Sequence, residues 1–196
     1  APAFPKEWKK NKNTWLNSLD ISRVMKQYED NYKNFRFLGP SPIDFNTIKN
    51  NICIYPEICN LDLSHMRQKG IDKIGLIFNT DYHYESGSHW ICVFINLNKN
   101  IFFYFDSTGD KRQKEIKELF NKLKCREKKL KYKSNENFKH QYKNTECGVY
   151  CLYVIINLLT EKTTINKLKT KRISDSEIEK YRDIFFNPPL ININSI

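Results

Sequence analysis

The chain has 196 residues, of which 40% are apolar and 14% aromatic. That is enough for one domain with a sizeable core and too apolar for a disordered chain. Its formal net charge of +11 predicts attraction to polyanions such as nucleic acid, or else a solubilising lysine surface. Apolar runs stay short of the roughly 18 residues a membrane-crossing helix needs, and APAFPKEWKK lacks the features of a signal peptide. A soluble, non-secreted protein with no membrane partner is therefore expected. The six cysteines, at 53, 59, 92, 125, 147 and 151, show no CxxC pair and no Cys/His ligand spacing. No metal site is expected, and reduced core thiols explain them better than disulfides.

Residues 1–13 are Lys-rich and read as a mobile or draped N-terminal arm. Asp20 then caps a helix whose apolar stripe is Ile21, Val24, Met25, Tyr28 and Tyr32. FRFLGPSPIDF, with Gly39, Pro40 and Pro42, stops it. Residues 43–72 are mixed, with a short helix expected near 61–68. Three strand signals follow: KIGLIF, HWICVFIN and IFFYFD, the last two apolar at nearly every position, as in strands covered on both faces. KRQKEIKELFNKLK is an amphipathic helix with Ile116, Leu119, Phe120 and Leu123 inside, and CREKKLKYK is a basic outer stretch or strand. Ser174 and Glu177 form a capping box for a last helix carrying Ile178, Tyr181, Ile184 and Phe185. With no internal repeat and no linker, residues 1–196 read as a single α+β domain.

The stretch QYKNTECGVYCLYVIINLL, residues 141–159, is a polar loop running into a buried helix. Tyr150, Cys151, Val154, Ile155 and Leu158 recur at helical spacing and form its core-facing side. Cys147 stands at the junction, where the helix dipole and unpaired backbone N–H groups favour a thiolate. A buried, inert cysteine is the competing reading, and it suits Cys151 better.

A cysteine nucleophile needs a base, and the base needs an orienting group. His89 opens HWICVFIN and Asp106 closes IFFYFD. A hairpin centred on Leu97 and Asn98 pairs residues whose numbers add to 195, which sets His89 opposite Asp106. A turn centred one residue later pairs Asp106 with Ile91 and removes the direct contact. Gln141, on the loop before Cys147, could donate to an oxyanion beside the Cys147 N–H. Taken singly, His89 also reads as a surface histidine, Asp106 as a turn residue of DSTGD, and Gln141 as an exposed loop residue.

HW at 89–90, Asp106, Gln141 and ECG at 146–148 together resemble the ubiquitin-like-protein (SUMO) proteases. The resemblance is to their viral maturation branch, which includes the adenovirus and African swine fever virus proteases and those of giant viruses and virophages. WLNSLDI, FLGPSPIDF, IFNTDYHYESGSHW and FDSTGD extend it over residues 14–186. It implies a papain-like, adenain-like fold, with a central mixed, mainly antiparallel sheet flanked by helices and the nucleophile at a helix N-terminus. It further implies Cys147 as nucleophile, His89 as base and acid, Asp106 orienting His89, and Gln141 with the Cys147 amide as oxyanion hole. Trp15 and Trp90 would enclose a channel for small residues, usually glycine; core packing is the alternative for both. Glu146 departs from the Asp usual in the cellular enzymes.

The expected function is a cysteine endopeptidase that processes viral capsid or core precursor proteins in the virion and the host cytoplasm. It requires no cofactor by sequence, with DNA or a peptide as a conceivable activator, and residues 122–133, including Tyr132, are the candidate DNA contact. The alternatives are an isopeptidase acting on ubiquitin or SUMO conjugates, a non-catalytic nucleic-acid-binding particle protein, and more remotely an acyltransferase.

Overall fold

The computed structural model describes residues 1–187. After a short 3-10 helix at Lys6–Lys9, its elements in chain order are α1 (Ser18–Asn31), β1 (Phe35–Pro42), the short hairpin β2 (Ile48–Lys49) and β3 (Ile52–Cys53), α2 (Pro56–Cys59) and α3 (Leu63–Gln68). Then come β4 (Lys73–Asn79), β5 (Trp90–Asn96), β6 (Ile101–Phe105), α4 (Lys114–Arg126) and β7 (Lys131–Ser134). Four helices follow: α5 (Cys147–Leu159), α6 (Ile165–Thr170), α7 (Asp175–Glu179) and α8 (Tyr181–Phe185).

Five strands form one sheet in the order β1-β4-β5-β6-β7. The three inner strands are antiparallel, and β1 and β7 join them in parallel at the edges. Side chains alternate across β5. Trp90, Cys92 and Phe94 face a core shared with α1 and α5, while Ile91, Val93 and Ile95 face a second core that includes α4. A sheet covered on both faces needs apolar residues at nearly every inner-strand position, which is how these strands read. Gly75 lets α5 lie close on β4, because a Cβ there would sit 2.9 Å from Ile155 Cγ2.

Several local expectations are corrected. Asn17, not Asp20, caps α1; Asp20 is the third helical residue and returns the bond to the Asn17 N–H, a full capping box. FRFLGPSP is strand β1 rather than a plain helix stop. Its prolines are tolerated because β1 lies at the sheet edge, and its register with β4 shifts between Leu38 and Ser41. Helix α5 is buried on every side, not along one stripe, since it lies between the sheet and the N- and C-terminal elements. The last predicted helix is broken into α7 and α8 at Lys180; Ser174 caps α7 through the Glu177 N–H, and Ile184 is exposed. Cys53 and Cys59 are joined as a disulfide, because β3 and α2 fold back around Phe45; Cys92, Cys125, Cys147 and Cys151 are free thiols.

The N-terminal arm packs against the body. Trp8 is buried between Phe4 and Phe186, and Ala3 bridges to Asn187.

Candidate active site

Cys147 is the first residue of α5 and only 1% exposed. Among the described residues no side chain caps this helix, so its first-turn N–H groups stay available to an anionic oxygen. Gly148 makes the approach close: a Cβ on it would lie 3.2 Å from Leu16 Cβ and 3.3 Å from Trp90 Cδ1.

His89 immediately precedes β5 and Asp106 immediately follows β6. Their register is not the expected one. The β5–β6 pairs add to 197, as in Cys92 with Phe105, because the turn is centred on Asn98 and Lys99. Continued past the strand ends, that register sets Asp106 opposite Ile91 and leaves His89 on the diagonal. A shift of two keeps both residues on the same face, and a diagonal neighbour is within reach of a long side chain. His89 Nε2 donates to Asp106 Oδ1 at 2.8 Å. The expected contact therefore exists, on a different register.

Asp106 is buried, and its carboxylate is held from several sides. Oδ1 also accepts from the Thr108 N–H at 2.9 Å and the Thr108 hydroxyl at 2.8 Å. Asn135 clamps the Asp106 backbone, accepting its N–H at 2.9 Å and donating to its carbonyl at 2.6 Å. With Nε2 committed to Asp106, Nδ1 is the nitrogen left for the thiol. Burial lowers the proton affinity of His89, but hydrogen bonds and charge from Asp106 and Cys147 outweigh it and raise the pKa to about 10. The ring is thus an imidazolium at neutral pH, poised beside Cys147.

Gln141 is 3% exposed, not a surface loop residue. Its backbone N–H donates to the Ser107 carbonyl at 2.8 Å. Ser107 Oγ donates to its Oε1 at 2.6 Å, and its Nε2 donates to the Lys143 carbonyl at 2.8 Å. The amide is therefore oriented, with one N–H of Nε2 left over. Trp90 is buried and its indole N–H donates to the Leu16 carbonyl at 2.9 Å, whereas Trp15 is 40% exposed. Both line one cavity of about 410 Å³.

Ser107, Thr108, Asn135 and Arg182 were not foreseen as supports. Ser107 and Thr108 were read only as turn residues of DSTGD, although an Asp followed by two hydroxyl residues is itself a signal for local side-chain bonding. Arg182 is fully buried behind the Cys147 loop. It donates to the carbonyls of Thr14 at 2.9 Å and Thr145 at 3.0 Å, and lies 3.9 Å from buried Glu146. A single Arg on a polar helix face gives no such sign. Tyr132, assigned to a basic contact surface, instead packs on Phe102 and Phe120 with Arg112 stacked over it at 4.1 Å.

Comparison with known proteins bears on the family and the fold. The profile of the Ulp1 protease family, C-terminal catalytic domain, matches residues 64–188. R355 of Acanthamoeba polyphaga mimivirus, provisionally named a thiol protease, is 31% identical over 93% of this chain, which spans only 60% of R355. The SUMO-1 cysteine protease S273R of African swine fever virus is 24% identical over 90% of this chain and 69% of its own. The crystal structure of the African swine fever virus S273R protease has the same fold, with a TM-score of 0.80 at 22% identity over 95% of this chain and 71% of that one. Among the described residues no helix is long and apolar enough to cross a membrane. The chain belongs to the Ulp1 protease family and carries its cysteine-protease catalytic domain.

Proposed function

We propose that the protein is a cysteine endopeptidase that cuts viral capsid or core precursors after small residues of the glycine type, in the virion and the host cytoplasm. The observation that carries the reading is the His89 imidazole, bonded to Asp106 on one side and raised in pKa by Cys147 on the other. Cys147 attacks the scissile carbonyl carbon as the thiolate whose proton His89 holds, and the resulting oxyanion takes hydrogen bonds from the Cys147 N–H and Gln141 Nε2. The His89 imidazolium protonates the departing amine, leaving a thioester. Neutral His89 then takes a proton from water, whose oxygen displaces Cys147. Asp106 orients the ring and balances its charge. Trp15 and Trp90 flank the residues before the cut. The exposed lysines of the 122–133 stretch remain the proposed DNA contact, and residues 1–196 one protease domain.

Incubation with the structural proteins of the source virus and mapping of new N-termini tests this. New termini after glycine, absent with Cys147→Ala, are expected; unchanged precursors would refute it. A second reading, an isopeptidase, is supported by the SUMO-1 protease name of S273R. Rapid capture of a ubiquitin- or SUMO-aldehyde would favour it.

A further inference from the structure

The cavity beside Trp15 and Trp90 has a chemistry that the glycine channel does not require. It runs from the tryptophans across the end of β1 to the loop 81–87. Its volume of about 410 Å³ exceeds what a glycine backbone occupies and falls in the range of binding pockets.

The chain carries 33 Lys and Arg residues against 22 Asp and Glu. Among the described residues none that line this cavity is Lys or Arg, whereas Asp81 and Glu85 both line it. Each carboxylate has one oxygen engaged locally: Asp81 Oδ1 accepts from Ser88 Oγ at 2.5 Å, and Glu85 Oε2 accepts from the Tyr82 N–H at 2.7 Å. The second oxygen of each is free of such bonds among the described residues. His83 also lines the cavity, but its Nδ1 is held 2.5 Å from Asp44 Oδ2.

Two further features point to a ligand. Ser41 lines the cavity and is 2% exposed, yet its hydroxyl has no hydrogen-bond partner among the described residues. A buried hydroxyl without a partner is costly unless a ligand or water answers it. Trp15, Tyr55 and Tyr82 supply aromatic surface, with Tyr82 42% and Trp15 40% exposed. Aromatic faces and carboxylates both attract cations, and the hydroxyl accepts from an ammonium.

We propose that this cavity is a substrate subsite for a basic side chain, lysine or arginine, standing three or four residues before the cleaved bond. The proposal rests on the protease reading above. Trp90 lines the cavity and its ring lies against Gly148, next to Cys147, so one indole stands between the cavity and the nucleophile. A glycine pair in the tryptophan channel would thus bring the next residues upstream into the cavity. An acidic subsite on a basic protein would also discriminate. The protein's overall field attracts polyanions, while this pocket selects against acidic segments and for basic ones.

The test uses the whole chain and fluorogenic peptides ending in Gly-Gly before the leaving group. Lys, Arg, Gln, Leu, Phe or Glu is placed at the third and, separately, at the fourth position. Lys and Arg are expected to raise kcat/KM about tenfold over Leu and more over Glu, mainly through KM, with the advantage shrinking in high salt. In the double variant D81N/E85Q the Lys-to-Leu ratio is expected to fall to about one. Equal or better cleavage of the Leu, Phe or Glu peptides overturns the proposal, as does a basic preference that survives in D81N/E85Q. If no peptide is cut although Cys147 alkylates rapidly, the endopeptidase reading falls and takes the subsite with it.

Discussion

Ser107 Oγ donates to Gln141 Oε1 at 2.6 Å, across a loop pair in which the Ser107 carbonyl also accepts the N–H groups of His140 and Gln141. With the Lys143 carbonyl, which accepts from Gln141 Nε2 at 2.8 Å, the hydroxyl fixes the orientation of the amide. Ser107→Ala removes one of these two restraints and leaves the backbone bonds in place. We expect kcat to fall about tenfold, a fraction of what losing an oxyanion donor costs, with KM and melting temperature little changed. Steady-state kinetics beside a thermal melt decide it. A parallel loss of fold would make Ser107 a packing residue only.

The pH dependence follows from His89. Its folded pKa, about 10, lies above the ordinary value of 6.5 because Asp106 and Cys147 outweigh burial. A raised pKa contributes stability that is fully present below 6.5 and lost as pH rises through about 10. The acid that protonates the leaving amine is lost over that same alkaline window. The basic limb of kcat/KM is expected near pH 10 in a pH–rate profile. Asp106→Asn keeps an oxygen for the ring N–H but removes the charge, so the limb should move toward neutral pH. The rate should drop by roughly one to two orders of magnitude, less than for Cys147→Ala. An unmoved limb would show that Asp106 does not set the charge of the ring.

Arg182→Met tests the support behind the nucleophile. It leaves the Glu146 carboxylate buried without its cation and the carbonyls of Thr14 and Thr145 without a donor. Breaking such a pair from one side costs about 3–5 kcal/mol, readable by urea unfolding. Glu146→Gln should cost less, since its amide oxygen still accepts from the Thr145 N–H while its NH2 donates to the Thr145 hydroxyl oxygen.

Gly148→Ala sets two effects against each other. Alanine gains about 1 kcal/mol of helix propensity. The new Cβ, however, meets Leu16 at 3.2 Å and Trp90 at 3.3 Å, and crowding of this kind costs about 1–3 kcal/mol. We expect a small net loss of stability and a larger loss of activity, because one of the two side chains that must yield is Trp90, the proposed wall of the substrate channel. A variant cleaving at the wild-type rate would show that this wall is not used.

Much of the architecture was legible because the inner strands and α5 are buried all round, and burial writes itself as apolar runs that few other structures tolerate. The contact between His89 and Asp106 was legible through residue types and their order. The register was not, since a four-residue turn and a two-residue turn leave the same strand signals, and only parity decides which face a side chain takes. Strand β1 was missed because its prolines and glycine are breakers everywhere except at a sheet edge. The disulfide escaped because Cys53 and Cys59 sit in a segment with weak periodicity, where pairing depends on tertiary folding around Phe45. Asn135 and Arg182 act on other residues rather than on substrate, and such work leaves no spacing to read.

All thirteen residues of α5, from Cys147 to Leu159, are buried. Segments of this kind open only when the whole molecule does. The amide protons from Tyr150 onward, bonded within the helix, should therefore be among the last to exchange with heavy water, and the thiol at its start is not unseated by fraying at the surface. Denaturation and inactivation should then be one event, so that the rate at which Cys147 becomes inert can serve as a clock for global unfolding.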